Sequence, residues 1–327
     1  MEASPLNEAE RRVQSRFRFG EWIGLGLILA IIPLFAWQVP ETSNRFPMPP
    51  RSVALHAEPL AMDAAGVTPL HLAGAWRLTA PDPRFGGISA LAIDRGRFVA
   101  LSDSGILYRF AIPGRSRQEV VISELPGGPG SPDLKENRDS ESLARDPQGR
   151  GWWIGFETRN QIWLYDRSFG RALGHIDFGE ERWPVNLGTE AMLADPGRLT
   201  LVPELAHEVV DVANGKAVSR PLRDVGSNIS DMVRLPDGEM LILLRDLDLT
   251  GFHLALGVLV EHPDGWRVER RVPLHVGTFA NLEAMTVERL PGGGVRLWLM
   301  TDDNFQPPLT TMLIALDLPS GRWRGRG

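Results

Sequence analysis

The chain has 327 residues, carries a net charge of −6 at pH 7 and contains no cysteine. The negative charge argues against a nucleic-acid-binding protein, because neutralising phosphates requires clustered Lys and Arg side chains. The lack of cysteine excludes disulfides, thiolate metal sites and a cysteine nucleophile. With 34 glycines and 26 prolines, the composition is typical of an all-β protein made of short strands and turns.

An apolar run without charged residues occupies residues 22–39. As a helix, these 18 residues would extend for about 27 Å, close to the thickness of a bilayer core. Four arginines precede the run: Arg11, Arg12, Arg16 and Arg18. Because positive charge is retained on the cytoplasmic side, we expect the N-terminus inside and the remaining chain outside the cytoplasm.

The N-terminal pattern gives the following domain organisation. Residues 1–21 are expected to be cytoplasmic, and residues 22–39 to form a transmembrane signal anchor or a cleaved signal peptide. Residues 40–69, which include four prolines between 41 and 67, are expected to be a linker. A folded domain at 70–319 and a basic tail at 320–327 complete the chain. This organisation predicts attachment to the inner membrane with a periplasmic domain, or a soluble periplasmic protein if the signal is cleaved.

The body of the chain contains a repeat of two short strands joined by a D/P/G turn. Its five copies begin at Gly86, Asp139, Leu187, Asn228 and Asn281. In each copy a polar residue precedes a Leu or Met, and an acidic residue follows the second strand. The period of about 40 to 50 residues is typical of the blades of a β-propeller. We therefore predict a propeller of five or six blades between residues 70 and 319.

The repeat places two sets of polar residues at one end of the blades. The first set precedes the Leu or Met and comprises Ser89, Glu141, Glu190, Asp231 and Glu283. The second set follows the second strand and comprises Asp103, Glu157, Glu204, Asp246 and Asp302. Since innermost strands line the central channel and a hairpin returns to its starting end, both sets are expected at the same face.

Several of these segments resemble a known family. The stretches FGGISALAID, DSESLA, LGTEAMLADPGRLTLVPE and NLEAMTVERL, with TDDNFQPPLTTMLIALDL near the C-terminus, are similar to the "esterase-like activity of phytase" family of exported bacterial β-propeller-like proteins. The resemblance covers residues 70–318. It implies a propeller with a phosphodiesterase- or esterase-like site formed by acidic residues.

A ring of carboxylates requires compensating charge. Two carboxylates 5 Å apart repel by about 3 kcal/mol at an effective dielectric constant of 20. Calcium is the expected cation because its ligands are carboxylate and carbonyl oxygens, although magnesium or manganese are alternatives. The predicted metal ligands are Glu141, Glu190, Asp231, Glu283 and Asp302. The predicted catalytic residues are Glu141, Glu190, Glu283, Glu157 and Glu204.

Two interpretations remain open at this stage. The first is a membrane-tethered hydrolase of a small phosphoester or other ester, in which a carboxylate acts as general base. His207 is a further candidate acid or base, since it follows Glu204 in the stretch VPELAHE. The second interpretation is a non-catalytic propeller that binds a ligand or a protein of the cell envelope. In that case the acids at the strand ends only cap turns and bind backbone amides.

Overall fold

A computed structural model of the protein describes residues 49–115, 118–179, 188–203 and 207–319. The chain divides into two compact units, Met1–Ser43 and Asn44–Gly327, and all described residues belong to the second. None of the helices in these ranges is long and apolar enough to cross a membrane. The predicted transmembrane segment at 22–39 and the basic tail at 320–327 lie outside the described residues.

The described residues form strands and two short 3-10 helices, at Ala64–Val67 and Lys135–Asn137. Three strands come first in the chain: β1 (Arg51–Ala54), β2 (His56–Pro59) and β3 (His71–Thr79). The first antiparallel meander is β4 (Ile88–Asp94), β5 (Arg97–Ser102), β6 (Ile106–Ala111) and β7 (Glu119–Glu124). The second is β8 (Ser140–Arg145), β9 (Gly151–Phe156), β10 (Gln161–Asp166) and β11 (Ala172–Asp177).

The remaining strands repeat this pattern. The third meander is β12 (Thr189–Asp195), β13 (Arg198–Pro203), β14 (Glu208–Ala213) and β15 (Lys216–Arg223). The fourth is β16 (Asn228–Arg234), β17 (Met240–Asp248), β18 (Gly251–His262) and β19 (Gly265–Leu274). The fifth consists of β20 (Leu282–Arg289), β21 (Val295–Thr301) and β22 (Met312–Asp317), completed by β3 from the N-terminal side.

The meanders are arranged in a closed circle. Their first strands contact one another in the order β4, β8, β12, β16, β20 and back to β4. Five clusters of buried apolar side chains fill the spaces between neighbouring meanders, including the space between the fifth and the first. Because β3 pairs with β22, the two ends of the domain are held together in one sheet. The fold is all-β and β-propeller-like, as the repeat predicts.

The tryptophans show how the core is built. Trp152 is buried in the cluster between the first and second meanders, Trp266 in that between the third and fourth, and Trp298 in that between the fifth and first. Each lies on a strand whose alternate residues face opposite neighbours. The indole rings therefore act as packing groups between meanders.

The expected linker at 40–69 differs from the structure over part of its length. Residues 51–54 and 56–59 form strands β1 and β2, which add to the outer edges of two meanders by pairing with β7 and β3. Both strands are largely exposed, so they carry no apolar alternation from which a strand could be recognised. Edge strands of this kind cover hydrogen-bonding groups of the sheet that would otherwise face water.

Candidate functional site: an acidic cluster at the mouth of the circle

Each of the five first strands has a bulge near its start, and the bulged residues are equivalent in the five meanders. The residue skipped by the pairing is Ser89, Glu141, Glu190, Ser230 or Glu283. A bulge leaves one residue out of the ladder and changes the direction of its side chain. The predicted first set is therefore present with one correction, since the fourth position is Ser230 instead of Asp231.

Asp231 binds backbone groups between two meanders. Its carboxylate accepts hydrogen bonds from the amide of Met232 at 2.7 Å and from the amide of Met285, on the next meander, at 2.5 Å. Burial raises the pKa of Asp231 well above its usual value, against the effect of these two bonds. The residue predicted as a metal ligand thus links β16 to β20. The alignment of the five repeats is displaced by one residue here, because the bulge falls on Ser230.

The second set is positioned by a recurring backbone hydrogen bond. The amides of Asp103, Glu157 and Asp302 donate to the carbonyls of Gly87, Asp139 and Asn281 at 3.0, 2.8 and 2.8 Å. Each acceptor lies two residues before the bulge. The second set therefore follows the second strand directly and lies beside the first set, as the hairpin geometry predicts.

The fourth meander departs from the predicted second set. Ile229 pairs with Leu244, so the residue equivalent to Asp302 is Arg245, and Asp246 is displaced by one position. The amide of Asn228 donates to Asp246 at 3.4 Å. One member of the predicted second set, Glu204, lies outside the described residues.

Three carboxylates converge beside the second meander. Oxygen atoms of Asp139, Glu141 and Glu157 all lie within 4.8 Å of one another. Asp139 lies directly before β8, two residues before the bulge at Glu141. The hydroxyl of Thr158 donates to Asp139 at 2.7 Å, and Glu157 is only 8% exposed. These three residues are called the acidic cluster below.

A glycine of the third meander fits closely against this cluster. A Cβ atom at Gly188 would lie 2.3 Å from the Cα of Glu157. A larger residue would displace the backbone of Glu157, so this position requires glycine. The close approach brings the start of β12, and with it Glu190, next to the second meander.

The end of the circle at which the first strands β4, β8, β12, β16 and β20 begin is called the mouth below. The carboxylates at this end influence one another. Burial raises the pKa of Glu141 well above its usual value, and the charges of Asp139, Glu190, Glu283 and Asp103 add to this effect. Burial also raises the pKa of Asp139, although Thr158 and Lys135 oppose the shift. Both shifts favour the protonated form of these side chains more than in an exposed carboxylate.

Asp302 belongs to the same group of interacting acids. It is buried, and burial raises the pKa of Asp302 well above its usual value, with further contributions from Glu283 and Asp103. The amide of Asn304 donates to its carboxylate at 2.7 Å, which opposes the shift. Burial and the neighbouring carboxylates thus favour the protonated form of Asp302 more than in an exposed aspartate.

Two cations compensate part of the negative charge. Lys135 lies 2.7 Å from Asp103; burial opposes the charged ammonium, but Asp103 raises the pKa of Lys135. On the opposite side, Arg245 contacts both Glu283 and Asn281 at 2.6 Å. The side-chain amide of Asn281 also donates to Glu283 at 2.8 Å. Glu283 is therefore neutralised by an arginine, which distinguishes it from the acidic cluster.

Sequence reasoning missed two residues of this site, Asp139 and Lys135. Asp139 opens the DSESLA segment, but it lies before β8 and outside the two predicted sets. Arg245 is a candidate phosphate-binding arginine from the sequence, and its place beside Glu283 requires the correct register of the fourth meander. Lys135 lies in the long connection before β8 and has no sequence signal. His207, the candidate acid or base, is exposed, and its backbone carbonyl accepts from Leu222 at 2.7 Å.

The fold and the site together define a β-propeller-like protein with carboxylates at the mouth of its central circle of strands. The chain belongs to the phytase-like family, described as esterase-like activity of phytase, whose model matches residues 83–305. The resemblance seen in the sequence is therefore confirmed. No curated protein sequence matches the chain significantly.

Solved structures with a similar arrangement have low sequence identity to this chain. The glutaminyl cyclase of Myxococcus xanthus is 13% identical, with 76% of this chain and 97% of that chain covered and a TM-score of 0.49. Regucalcin from Agrobacterium tumefaciens strain C58, titled a calcium-binding protein, is 15% identical, with coverage of 82% and 92% and a TM-score of 0.45. A protein of unknown function from Bacteroides caccae is 14% identical, with coverage of 76% and 82% and a TM-score of 0.44.

Proposed function

We propose that this protein is a hydrolase of phosphoesters or other esters that holds a divalent cation in the acidic cluster. The observation that carries the proposal is the convergence of Asp139, Glu141 and Glu157 within 4.8 Å. Burial raises the pKa values of Asp139 and Glu141, so three ionised carboxylates at this spacing would be costly. A cation offsets this cost, and a substrate phosphate or carbonyl oxygen can complete its ligand set.

The residues present fit calcium better than a softer metal. All three donors of the acidic cluster are carboxylates, and the chain has no cysteine. Calcium takes about six to eight oxygen ligands, some from bidentate carboxylates, whereas soft metals prefer sulfur or imidazole. Three carboxylates provide at most half a dozen oxygens, which leaves room for water or substrate. Magnesium and manganese use the same donor type and remain alternatives to be compared by titration.

Three further residues are assigned roles in the reaction. A divalent cation in the cluster supplies Lewis-acid polarisation of a phosphoryl or carbonyl oxygen. Glu190, which influences Glu141 electrostatically, is assigned as the general base that accepts a proton from the attacking water. Asp302, whose pKa is raised, is assigned as the acid that donates a proton to the leaving oxygen. Arg245 holds Glu283 and is suited to attract a negatively charged substrate group.

The same proposal includes the cellular setting and the blade count. We take each of the five meanders as one blade. We also propose that residues 22–39 anchor the chain in the inner membrane and that the propeller acts in the periplasm on a small ester or phosphoester. If the anchor is cleaved, the domain is a periplasmic protein. A partner from the cell envelope is compatible with either location.

The proposed activity can be tested with the full chain in detergent. Chromogenic phosphodiester and carboxyl-ester substrates are offered with calcium or with chelator. We expect hydrolysis that requires calcium and that falls at least tenfold in Glu141→Gln and Glu157→Gln. Asp231→Asn is the matched control, because Asp231 is an acid of similar burial that lies outside the cluster.

Two results would contradict the proposal. Full activity in chelator would exclude a catalytic cation. Calcium binding without hydrolysis of any substrate in a broad panel would instead support the second interpretation, a non-catalytic module with a structural cation.

A further inference from the structure

The large apolar side chains exposed at the surface are concentrated on one face. Among the described residues seven such side chains are exposed. Five of them lie at the mouth of the circle: Leu134, Leu249, Phe279 and Phe305 in connections, and Leu247 near the end of β17. The other two, Leu173 and Val218, lie on the outer strands β11 and β15. The five residues at the mouth are called the apolar rim.

The most exposed member of the rim is projected by an extended hairpin. β17 and β18 have 9 and 12 residues, compared with 6 each for β9 and β10 of the second meander. Leu249 lies at the tip of this hairpin and is 89% exposed. The hairpin therefore raises an apolar side chain above the mouth, where it contributes little to the core of the domain.

The hairpin is held in place by specific contacts. The amide of Thr250 donates to Asp248 at 2.7 Å, which fixes the turn. The amide of Phe252 donates to the carbonyl of Thr278 at 3.1 Å, and a Cβ atom at Gly251 would lie 2.6 Å from that carbonyl oxygen. The hairpin thus packs on the connection that carries Phe279. An apolar surface built in this way points to a partner, since isolated exposed leucines need no such support.

The described chain begins on the mouth side. Arg51, at the start of β1, lies 3.9 Å from Asp82 in the connection between β3 and β4. The predicted membrane segment ends at residue 39, so residues 40–49 connect it to the described domain. Ten residues span at most about 33–36 Å when fully extended. With an uncleaved anchor, the start of β1 is therefore separated from the predicted membrane segment by only a short stretch of chain.

We propose that the apolar rim docks the mouth of the propeller on the surface of a lipid bilayer. This inference rests on the membrane anchor in the proposed function. Leu and Phe side chains insert at the boundary between headgroups and acyl chains. The carboxylates at the mouth are repelled by anionic headgroups, so the surface fits zwitterionic lipids such as phosphatidylcholine. The acidic cluster then faces the bilayer, and the ester class it meets is an amphiphilic lipid ester.

Site-specific fluorescence tests this docking in the full chain. Because the chain lacks cysteine, Leu249→Cys introduces a single labelling site for an environment-sensitive fluorophore. Val218→Cys is the matched control, since Val218 is 56% exposed on an outer strand away from the mouth. The labelled proteins are reconstituted in phosphatidylcholine vesicles, with and without nitroxide-labelled phosphatidylcholine. Flotation of the protein together with the vesicles shows independently whether the anchor binds the bilayer.

We expect the nitroxide lipid to quench the Leu249→Cys label by roughly twofold or more, as for a side chain at the acyl boundary, and to leave the Val218→Cys label nearly unchanged. Phe279→Cys provides a second site on the rim and should behave like Leu249→Cys. Flotation without quenching at either rim site would overturn the docking and leave the anchor intact. Failure to float would overturn both.

A different partner would also be detected. If the Leu249→Cys label becomes protected from aqueous iodide only as the protein concentration rises, without quenching by the lipid, the rim is an interface between copies of this chain. That result would overturn the bilayer as the partner.

Discussion

The carboxylates on the two sides of the mouth have different partners. On one side Glu283 is paired with Arg245 and hydrogen-bonded to Asn281. On the other side Asp139, Glu141 and Glu157 converge, and among the contacts described for Asp139 the closest donor is the neutral hydroxyl of Thr158. Both sides derive from the same repeat. The difference arises because the fourth meander supplies Arg245 at the position after its second strand, where the first, second and fifth meanders supply Asp103, Glu157 and Asp302.

The carboxylate of Glu283 forms a charge-assisted pair with a guanidinium. The carboxylates of the acidic cluster lie close to one another, and Lys135 and Thr158 offset only part of the effect at Asp139. Protons or a cation would reduce the remaining repulsion. A metal site is therefore expected at Asp139, Glu141 and Glu157, and the predicted ligands Glu283 and Asp302 are assigned other roles.

The largest change in stability is expected on the side of the mouth that carries Glu283 and Arg245. Arg245→Met leaves Glu283 without its guanidinium partner, and both side chains are at most 20% exposed. Breaking a buried pair in this way costs about 3 kcal/mol of unfolding free energy, which thermal unfolding would report as a lower Tm. The double variant Arg245→Met/Glu283→Gln should recover most of the loss. Equal losses in the single and double variants would show that the pair has no such role.

A smaller change, a gain in stability, is expected for a variant of the acidic cluster. Glu141→Gln removes one of the converging charges, so the metal-free protein should gain about 2 kcal/mol of unfolding free energy. Urea unfolding in chelator measures this change. The matched variant Glu283→Gln should give no gain, because it removes a carboxylate that is already paired. A loss of stability in Glu141→Gln would contradict the electrostatic account of the cluster.

The pH dependence of stability should follow the acidic cluster. The pKa values of Asp139, Glu141 and Asp302 are raised in the folded state, so the folded protein binds more protons than the unfolded chain. Stability is then lowest above the folded pKa values and is regained as the pH falls towards the unfolded values of about 4.

We therefore expect the metal-free protein to be more stable at pH 5.5 than at pH 8, by roughly 1 kcal/mol. Asp82 and Asp146, whose arginine partners lower their pKa values, lose their contribution only at more acidic pH. Calcium should reduce the difference in stability between pH 5.5 and pH 8, because a bound cation replaces the protons. Tm values that rise from pH 5.5 to pH 8 in chelator would contradict this prediction.

The smallest effect is expected at Asp231. The amides of Met232 and Met285 bond to different oxygens of Asp231, so Asp231→Asn keeps one of the two bonds and should cost about 1 kcal/mol of unfolding free energy. Its calcium affinity should equal that of the unchanged protein. A large loss of calcium affinity would show that Asp231 is a metal ligand, as the alignment of the repeats predicts.

Much of the fold could be predicted from the sequence because each repeat contains apolar alternation and a strong turn signal. The bulged positions Glu141, Glu190 and Glu283 were also predictable, since an acid precedes a Leu or Met in each case. The fourth repeat could not be aligned correctly, because a bulge at Ser230 shifts the register without changing the polar pattern. Strands β1 and β2 could not be recognised, since pairing at a sheet edge requires no apolar face.

Calorimetric titration of the full chain with calcium measures whether the acidic cluster holds a cation. We expect binding that is retained in Glu283→Gln and weakened at least tenfold in Glu141→Gln, a change of about 1.4 kcal/mol in binding free energy. Absence of calcium binding in the unchanged protein, or loss of binding in Glu283→Gln with retention in Glu141→Gln, would contradict this expectation.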